Sequence, residues 1–341
     1  MVKIGVIFGG ISGEHDISLM SAASILRAMD KNKYEPIPIG IDRDGSWRLA
    51  EPDFDAIEKG KWVETSKAFN ITKLKKTVDF VFPVIHGTQG EDGALQGLLE
   101  LLDVPFAGGG VLASAVCMDK ATTKDVLSKH GLPVCRYKVV SGEDIEHNMA
   151  NIVKEISKEF TGSIFVKPAN EGSSLGISKV DDMMDIGKAL SLAGSYDRRI
   201  LVEEAIKGRE VEVGVIGNEK PMASLPGEIT TNKIFDYYDY EAKYSDSSGT
   251  RLDIPADLPE DVTERVRELA VRAYQATDCA GFSRVDFFIE HDTGEVLVNE
   301  INTIPGFTGI SMYPVLMTKD GLSLKELMQR LLDTAFARRE H

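Results

Sequence analysis

Apolar residues near the start of the chain form two short runs, each followed by a glycine-containing turn and then by helical spacing. The runs cover residues 3–8 and 78–85, and the second leads into a helical stretch at 94–102. Strand, turn and helix in this order form the unit of a parallel α/β sheet. Ligands bind such sheets where strands end and helices begin. Glu14 and His86 lie just beyond the two predicted strands.

Later in the chain, strands follow one another with little helix between them. The apolar runs predict strands at residues 163–168, near 174–180, and at 200–204, 211–216, 284–289 and 295–301. We expect antiparallel pairing here, and a hairpin across the five residues that separate the last two strands. Asp119 is placed to cap a helix that ends near Gly131, and residues 259–277 predict an amphipathic helix. Residues 231–254 have no clear period, and a loop of this length is usually functional.

Composition and charge narrow the class of protein. A length of 341 residues suggests two or three domains, and 43% hydrophobic with 27% charged residues is usual for a soluble globular protein. The net charge of −15 argues against a broad surface for nucleic acid. No apolar run approaches the roughly 20 residues that cross a membrane. The first residues do not resemble a signal peptide. Because the three cysteines show no Cys-x-x-Cys spacing, we expect buried free thiols and a cytoplasmic protein.

The strongest local signal for chemistry is a set of polar residues on two predicted strands. Arg284 and Asp286 are two residues apart and share a face of one strand, as Glu300 and Asn302 do on the next. If these strands pair, one face carries three oxygen-bearing side chains beside an arginine, and such oxygens suit Mg²⁺. A solvent-exposed polar face is the alternative, but the flanking residues are strongly apolar. The sequence contains neither a P-loop nor a dinucleotide-binding glycine motif after a strand.

Three weaker signals accompany this face. Lys167 ends an apolar strand and precedes a Gly-Ser-Ser-x-Gly turn that could cover phosphates, although such turns are common. Glu203 and Glu204 end another strand ahead of Glu210, where carboxylates could bind ribose hydroxyls or form a solvated turn. Glu14 could bind an ammonium group or begin the next helix as a cap.

These segments together resemble the D-alanine–D-alanine ligases, which belong to the ATP-grasp superfamily. The resemblance runs from the first strand to about residue 315. It rests on FGGISGEHDISL (8–19), HGTQGEDGALQGLLE (86–100), MDKATTK (118–124), FVKPANEGSSLGISKV (165–180), YYDYEAKY (237–244), RVDFFI (284–289) and NEINTIPGFTGISMYP (299–314). Ordered motifs of this length are highly specific.

The resemblance implies an α/β protein with α+β elements and three domains. These are an N-terminal parallel-sheet domain at 1–108 that binds the first D-alanine, a central domain at 109–206, and a C-terminal domain at 207–341 with the metal and catalytic site. ATP is expected between the last two. Its implied ligands are Lys120 and Lys167 at the phosphates, Ser173 in the closing loop, and Glu203, Glu204, the backbone near Ala205, and Glu210 at the adenine and ribose. Asp286, Glu300 and Asn302 are implied to hold two Mg²⁺ or Mn²⁺ ions.

The substrate and catalytic residues follow from the same resemblance. Glu14 is implied to bind the ammonium of the first D-alanine, with His86 near its carboxylate. Arg284 and the Gly306 N–H are implied to stabilise the oxyanion, Ser311 and Met312 to receive the second D-alanine, and Ser173, Lys243 and Tyr244 to close the site. Tyr238, Tyr244 and Met312 match the dipeptide-forming members.

The implied reaction joins two D-alanine molecules through an acyl phosphate, with release of ADP and phosphate, for peptidoglycan precursor synthesis. The expected partners are ATP and D-alanine, with no nucleic acid or membrane, and the family expectation is a homodimer. Three alternatives remain open at this point. They are a D-alanine–D-lactate or D-alanine–D-serine ligase of the same fold, another ATP-grasp carboxylate–amine ligase, and an ATP-binding regulatory protein without turnover.

Overall fold

Three β-sheets organise the chain in a computed structural model, which describes residues 1–172, 175–231, 250–319 and 321–339. Within these residues the sheets have five, four and six strands, and helices pack against each. The mixed α/β architecture predicted from the sequence is confirmed. No helix in the described residues is both long and apolar enough to cross a membrane.

The N-terminal sheet has the strand order β4-β3-β2-β1-β5, in which β1 pairs in parallel with β2 and β5. The predicted parallel core is therefore present, and β3 and β4 extend it antiparallel. The elements are β1 (Val2–Gly9), α1 (His15–Ala28), β2 (Tyr34–Ile41), β3 (Trp47–Leu49), α2 (Phe54–Glu58), β4 (Lys67–Ala68), α3 (Leu74–Thr77), β5 (Phe80–Pro83) and α4 (Ala94–Leu101), with 3₁₀ turns at Trp62–Thr65 and Ile71–Lys73.

The central sheet has the order β6-β9-β7-β8 and pairs antiparallel throughout, as predicted. One face packs against two helices through a core that includes Ile156, Val166 and Val202. The other face presents Lys167 and Glu203. The elements are α5 (Val111–Met118), α6 (Lys120–Lys129), β6 (Tyr137–Ser141), α7 (Gly142–Glu159), β7 (Ile164–Pro168), β8 (Ser178–Val180), α8 (Ile186–Gly194) and β9 (Arg199–Glu204), with a 3₁₀ turn at Met183–Asp185.

The C-terminal sheet has the order β13-β12-β10-β14-β15, and β11 pairs with β10. The loop predicted at 231–254 was wrong at both ends, because paired strands cover Gly227–Thr231 and Thr250–Asp253. The rest of that prediction, at 232–249, lies outside the described residues. The elements are β10 (Gly208–Gly217), β11 (Met222–Ala223), β12 (Gly227–Thr231), β13 (Thr250–Asp253), α9 (Glu260–Ala276), β14 (Gly281–Glu290), β15 (Val296–Asn302), α10 (Met312–Thr318) and α11 (Leu324–Arg339).

The last helix connects the two ends of the chain. Leu327, Leu331 and Leu332 of α11 belong to the same buried cluster as Phe8 of β1 and Ile25 of α1. Hydrogen bonds support this packing, since Gln329 donates to the Tyr34 hydroxyl at 2.8 Å and Arg338 donates to the Gly108 carbonyl at 2.8 Å. The first and last parts of the chain therefore share a hydrophobic core.

Candidate functional site

A cavity of about 280 Å³ opens where the central sheet, the C-terminal sheet and the N-terminal loops meet. Twelve residues predicted for the site line this one space. They are Glu14, His86, Lys120, Lys167, Glu203, Glu204, Glu210, Arg284, Asp286, Glu300, Asn302 and Gly306. Residues far apart in sequence are thus brought together by the ends of strands and helices from all three sheets.

Two lysines reach this cavity from the central part of the chain. Lys120 is the first residue of α6, whose N-cap Asp119 accepts a hydrogen bond from the Thr122 N–H at 2.7 Å. The Lys120 ammonium donates to the Glu171 carbonyl oxygen at 2.6 Å, at the start of the turn predicted to cover phosphates. Lys167 extends from β7. Lys120 therefore contacts the residue that precedes the turn, and Lys167 lines the same cavity, so two cations face a space that could hold a polyphosphate.

Glu203 lies at the centre of a buried ionic cluster. Its Oε1 atom forms an ion pair with Lys167, and its Oε2 atom lies 3.2 Å from the ammonium of Lys124. Burial alone would raise the pKa of Glu203, but the two ammonium groups lower it to about 2. The Cys135 thiol completes the cluster, 3.2 Å from Lys124. The Glu203 carboxylate is thus held by two lysines, and its role at the adenine or ribose stays a prediction. Lys124 was not among the predicted site residues.

The remaining residues predicted for the nucleotide base lie at the edge of the cavity. Glu204 and Glu210 line it, and Glu204 lies 3.7 Å from the Arg136 guanidinium. The Ala205 N–H donates to the Ser163 carbonyl oxygen at 3.0 Å, so this donor is already used in a hydrogen bond within the protein. Ile206, one residue further on, lines the cavity, whereas Ala205 is not among the lining residues.

The polar face predicted for the last hairpin is present. Arg284 lies opposite Asn302, and Asp286 lies opposite Glu300. Arg284 donates two hydrogen bonds of 2.7 Å to the two carboxylate oxygens of Asp286. The Asn302 amide donates to Asp286 at 3.1 Å. Asp286 is only 8% exposed, which rules out the alternative of a solvated face.

Glu212 of β10 joins this face and was missed in the sequence. It lies opposite Asp286 in the sheet, and its carboxylate is 2.8 Å from the Arg284 guanidinium. Burial would lower the pKa of Arg284, but Asp286 and Glu212 raise it well above its ordinary value. The arginine is therefore a fixed cation, held on two sides by carboxylates. Alternation along β10 places Glu212 on the face that also carries Glu210.

The donor set on this face suits a hard cation. Two carboxylates and one amide, from Asp286, Glu300 and Asn302, offer oxygen ligands of the kind that Mg²⁺ prefers. Among the described residues, no three His, Cys, Asp or Glu side chains form a closed metal cluster. Mg²⁺ is commonly held by only one or two protein carboxylates, so this smaller donor set fits such an ion.

The N-terminal loops contribute two carboxyl groups to the cavity. Glu14 precedes α1 but makes no side-chain cap to it, so the capping alternative is wrong. A methyl group added at Gly87 would lie 3.0 Å from Glu14 Oε2, which shows how closely the two loops approach. Glu91 accepts hydrogen bonds from the Gly87 N–H at 2.8 Å and the Ile304 N–H at 3.0 Å. Burial and the charge of Glu14 raise the pKa of Glu91 to about 8.

His86 is committed to a network that positions the Gly306 turn. Its Nδ1 atom lies 2.9 Å from the Ile304 carbonyl oxygen, and its Nε2 atom lies 3.2 Å from the Ser21 hydroxyl. The Phe307 N–H donates to the same hydroxyl at 3.0 Å. A neutral imidazole that donates from Nδ1 satisfies every member of this network. Burial lowers the pKa of His86, which favours that neutral form.

Two predicted substrate residues, Ser311 and Met312, are not among the residues that line the cavity. Ser311 accepts a hydrogen bond from the Thr308 N–H at 3.0 Å, and Met312 begins α10 and is buried. Three others, Ser173, Lys243 and Tyr244, lie outside the described residues, as does Tyr238.

The three cysteines are buried free thiols, as predicted.

Comparisons with known proteins agree along the whole chain. The family models described as D-ala D-ala ligase N-terminus and C-terminus match residues 3–109 and 126–333. A D-alanine–D-alanine ligase of Acetivibrio thermocellus is 43% identical, covering 98% of this chain and 96% of the relative, and one of Halothermothrix orenii is 46% identical, covering 98% of each.

Two solved structures are similar in fold as well as in sequence. The D-alanine–D-alanine ligase of Coxiella burnetii is 36% identical with a TM-score of 0.87, covering 99% of this chain and 95% of that one. The VanG D-Ala:D-Ser ligase of Enterococcus faecalis is 36% identical with a TM-score of 0.88, covering 98% and 99%.

Proposed function

The chain belongs to the D-alanine–D-alanine ligase family, and from this premise we propose that it joins two D-alanine molecules into D-alanyl-D-alanine at the expense of ATP, for peptidoglycan precursor synthesis. The observation that carries this proposal is the single cavity shared by Lys120 and Lys167, the acidic face of the last hairpin, and Arg284. Binding of a nucleotide alone would need the lysines, but it gives no reason for an arginine fixed between two carboxylates.

The first step activates a carboxylate, which is otherwise a poor acyl donor. A carboxylate oxygen of the first D-alanine attacks the γ-phosphorus of ATP, giving an acyl phosphate and ADP. Lys120, which contacts Glu171, and Lys167, which lines the same cavity, neutralise the phosphate charges during this transfer. Glu14 faces the same cavity and holds the substrate ammonium.

The second step forms the peptide bond. The neutral amine of the second D-alanine attacks the acyl carbon. As the tetrahedral intermediate collapses, the bond from this carbon to the phosphate oxygen breaks, and the surplus proton of the nitrogen leaves with the phosphate. Arg284 and the Gly306 N–H are the donors for the oxyanion, and rigid donors are the most effective ones. Arg284 is fixed by Asp286 and Glu212, and the turn at Gly306 is fixed by His86 and Ser21.

Divalent cations are a further part of the proposal. Asp286, Glu300 and Asn302 would hold two Mg²⁺ or Mn²⁺ ions through carboxylate and amide oxygens. When bound there, such ions would neutralise the negative charge that develops on the phosphates during transfer.

Several other features remain proposals for this chain. Ser311 and Met312 are proposed to receive the carboxylate of the second D-alanine, and Ser173, Lys243 and Tyr244 to close the site. The domain limits of 1–108, 109–206 and 207–341 and the homodimer follow from the resemblance alone. A cytoplasmic location is supported by three free thiols, which persist in a reducing compartment.

The proposal is tested by ADP formation against a panel of acids. The purified protein is mixed with ATP and Mg²⁺, and D-alanine, D-serine, D-lactate and L-alanine are added singly or in pairs with D-alanine. We expect ADP only when D-alanine is present, and a D-alanyl-D-alanine product by mass spectrometry. A main product of D-alanyl-D-serine would assign the activity named for the Enterococcus faecalis neighbour. ATP binding without any turnover would indicate a regulatory protein.

A further inference from the structure

Lys124 is a buried charge that the proposed reaction does not use. It lies on α6 one turn after Lys120, and it is only 1% exposed. Lys120 lines the cavity, whereas Lys124 lies behind it. A buried lysine is costly unless it is paired, so its partners indicate what it does.

Its partners place it on the far side of Glu203 from the cavity. The Lys124 ammonium is 3.2 Å from Glu203 Oε2 and donates to Cys135 Sγ at 3.2 Å. Lys167 pairs with the other oxygen, Oε1, and also lines the cavity. One carboxylate is therefore shared between an inner cation and an outer cation, and only the outer one faces the nucleotide site.

The charges of this cluster are fixed near neutral pH. Burial would lower the pKa of Lys124, but Glu203 raises it well above its ordinary value, and the pKa of Glu203 is about 2. The two lysines and one carboxylate thus carry one net positive charge. When a phosphate draws the Lys167 ammonium away, Glu203 loses one partner, and a buried carboxylate left alone is strongly unfavourable.

We propose that Lys124 is a positioning residue for nucleotide binding, the permanent counter-ion of Glu203 that allows Lys167 to turn from this carboxylate to the phosphates of ATP. This inference rests on the proposed function, because it requires a nucleotide in the cavity. Without Lys124, Glu203 would keep the weak Cys135 thiol donor at 3.6 Å, but Lys167 would be its one remaining cation among the described residues and would be held away from the phosphates.

The test measures binding of a non-hydrolysable ATP analogue with Mg²⁺ by isothermal titration calorimetry. For Lys124→Met we expect the dissociation constant to rise at least about tenfold, with a smaller effect on the KM for D-alanine in turnover. The control is Lys129→Met, which removes an exposed lysine from the same helix and should leave the affinity unchanged. An affinity of folded Lys124→Met equal to that of the wild type would overturn the inference.

A second pair of variants separates charge compensation from packing. In a Glu203→Gln background no carboxylate needs a counter-ion, so adding Lys124→Met should change the affinity by less than about twofold. Persistence of the full loss in that background would mean that Lys124 acts through packing, which contradicts the proposal. If Lys124→Met alone fails to fold, the comparison of Glu203→Gln with the double variant still tests the proposal, because the double variant carries no unpaired carboxylate at this position.

The outcomes for the inference and for the proposed function are distinguishable. Wild-type protein that binds the analogue and forms ADP only with D-alanine supports the proposed function whatever the variants do. Unchanged affinity in Lys124→Met then rejects the role of Lys124 alone. Wild-type protein that does not bind the analogue rejects the nucleotide site itself and the inference with it.

Discussion

At the scale of single residues, His86 shows how burial converts a titratable group into a structural one. Burial lowers its pKa from the ordinary 6.5, partly offset by Glu14, and Arg284 lowers it further. Below pH 6.5 the unfolded chain takes up a proton that the folded chain excludes, so stability falls as the pH is lowered. One such group changes the free energy of unfolding by up to about 1.4 kcal/mol per pH unit.

We therefore predict that the wild type loses more stability between pH 6.5 and pH 5 than His86→Asn does. Asparagine does not titrate, and its amide can replace the Nδ1 donor to the Ile304 carbonyl oxygen. The measurement is the free energy of unfolding from urea titrations at several pH values, compared between the two proteins. Parallel pH curves would mean that His86 titrates normally in the folded protein.

A second prediction at this scale concerns Glu300. Replacing it with glutamine removes one anionic oxygen from the proposed metal face while keeping the shape of the side chain. We expect D-alanine-dependent phosphate release to fall at least about tenfold and the Mg²⁺ requirement to rise, because the developing phosphate charge is then less neutralised. Glu295→Gln, an exposed position just before β15, is the matched control. Equal activity of Glu300→Gln at limiting Mg²⁺ would remove Glu300 from the metal site.

The sequence could predict some of these residues but not others. Spacing along a strand placed Arg284 and Asp286 on one face, and the structure confirms this. Lys124 and Glu91 lie inside the motifs at 118–124 and 86–100, yet their roles depend on Glu203 and Ile304, which come from other elements. Local spacing indicates which residues share a face, but it does not show which distant partner that face meets. The i, i+4 spacing of Lys120 and Lys124 was the one available signal.

At the scale of elements, α6 positions both of these lysines. Its N-cap Asp119 accepts from the Thr122 N–H at 2.7 Å and pairs with Arg199 of β9 at 2.5 Å. We predict that Asp119→Ala lowers the free energy of unfolding by about 1–2 kcal/mol and weakens binding of the ATP analogue, because the start of α6 frays. Asp119→Asn keeps the cap, so it should lose less stability and less affinity for the ATP analogue than Asp119→Ala does. Equal losses in the two variants would assign the effect to the Arg199 pair alone.

Element prediction succeeded where the apolar pattern was strong. The hairpin of β14 and β15 and the helix α9 were all predicted and are confirmed. The strand β2 was missed because Pro36 and Pro38 interrupt its pattern. The strands β12 and β13 were missed because they are short and polar, and only their pairing with each other and with β10 defines them.

At the scale of the whole molecule, the chain closes on itself through α11. Leu331 is fully buried in a cluster with Phe8 and Trp62, so the C-terminal helix completes the N-terminal core. The sequence pattern could not predict this packing. An amphipathic pattern shows that one face of a helix is buried, but it does not show which element covers that face. The packing also supports the site, since the loops that carry Glu14 and His86 follow strands of this shared core.

This shared core can be tested with the protein's own fluorescence. The chain has two tryptophans, Trp47 and Trp62, and both belong to the N-terminal sheet region. We predict that Leu331→Ala shifts the tryptophan unfolding transition to lower urea, with a loss of about 2–5 kcal/mol, although the substitution lies 269 positions beyond Trp62. Leu190→Ala is the matched control, because Leu190 is equally buried but belongs to the separate core of the central sheet. It should lower the transition seen by circular dichroism and leave the tryptophan transition in place. If Leu331→Ala leaves the tryptophan transition unchanged, the N-terminal sheet is stable without α11, and the positions of Glu14 and His86 do not depend on the C-terminal helix.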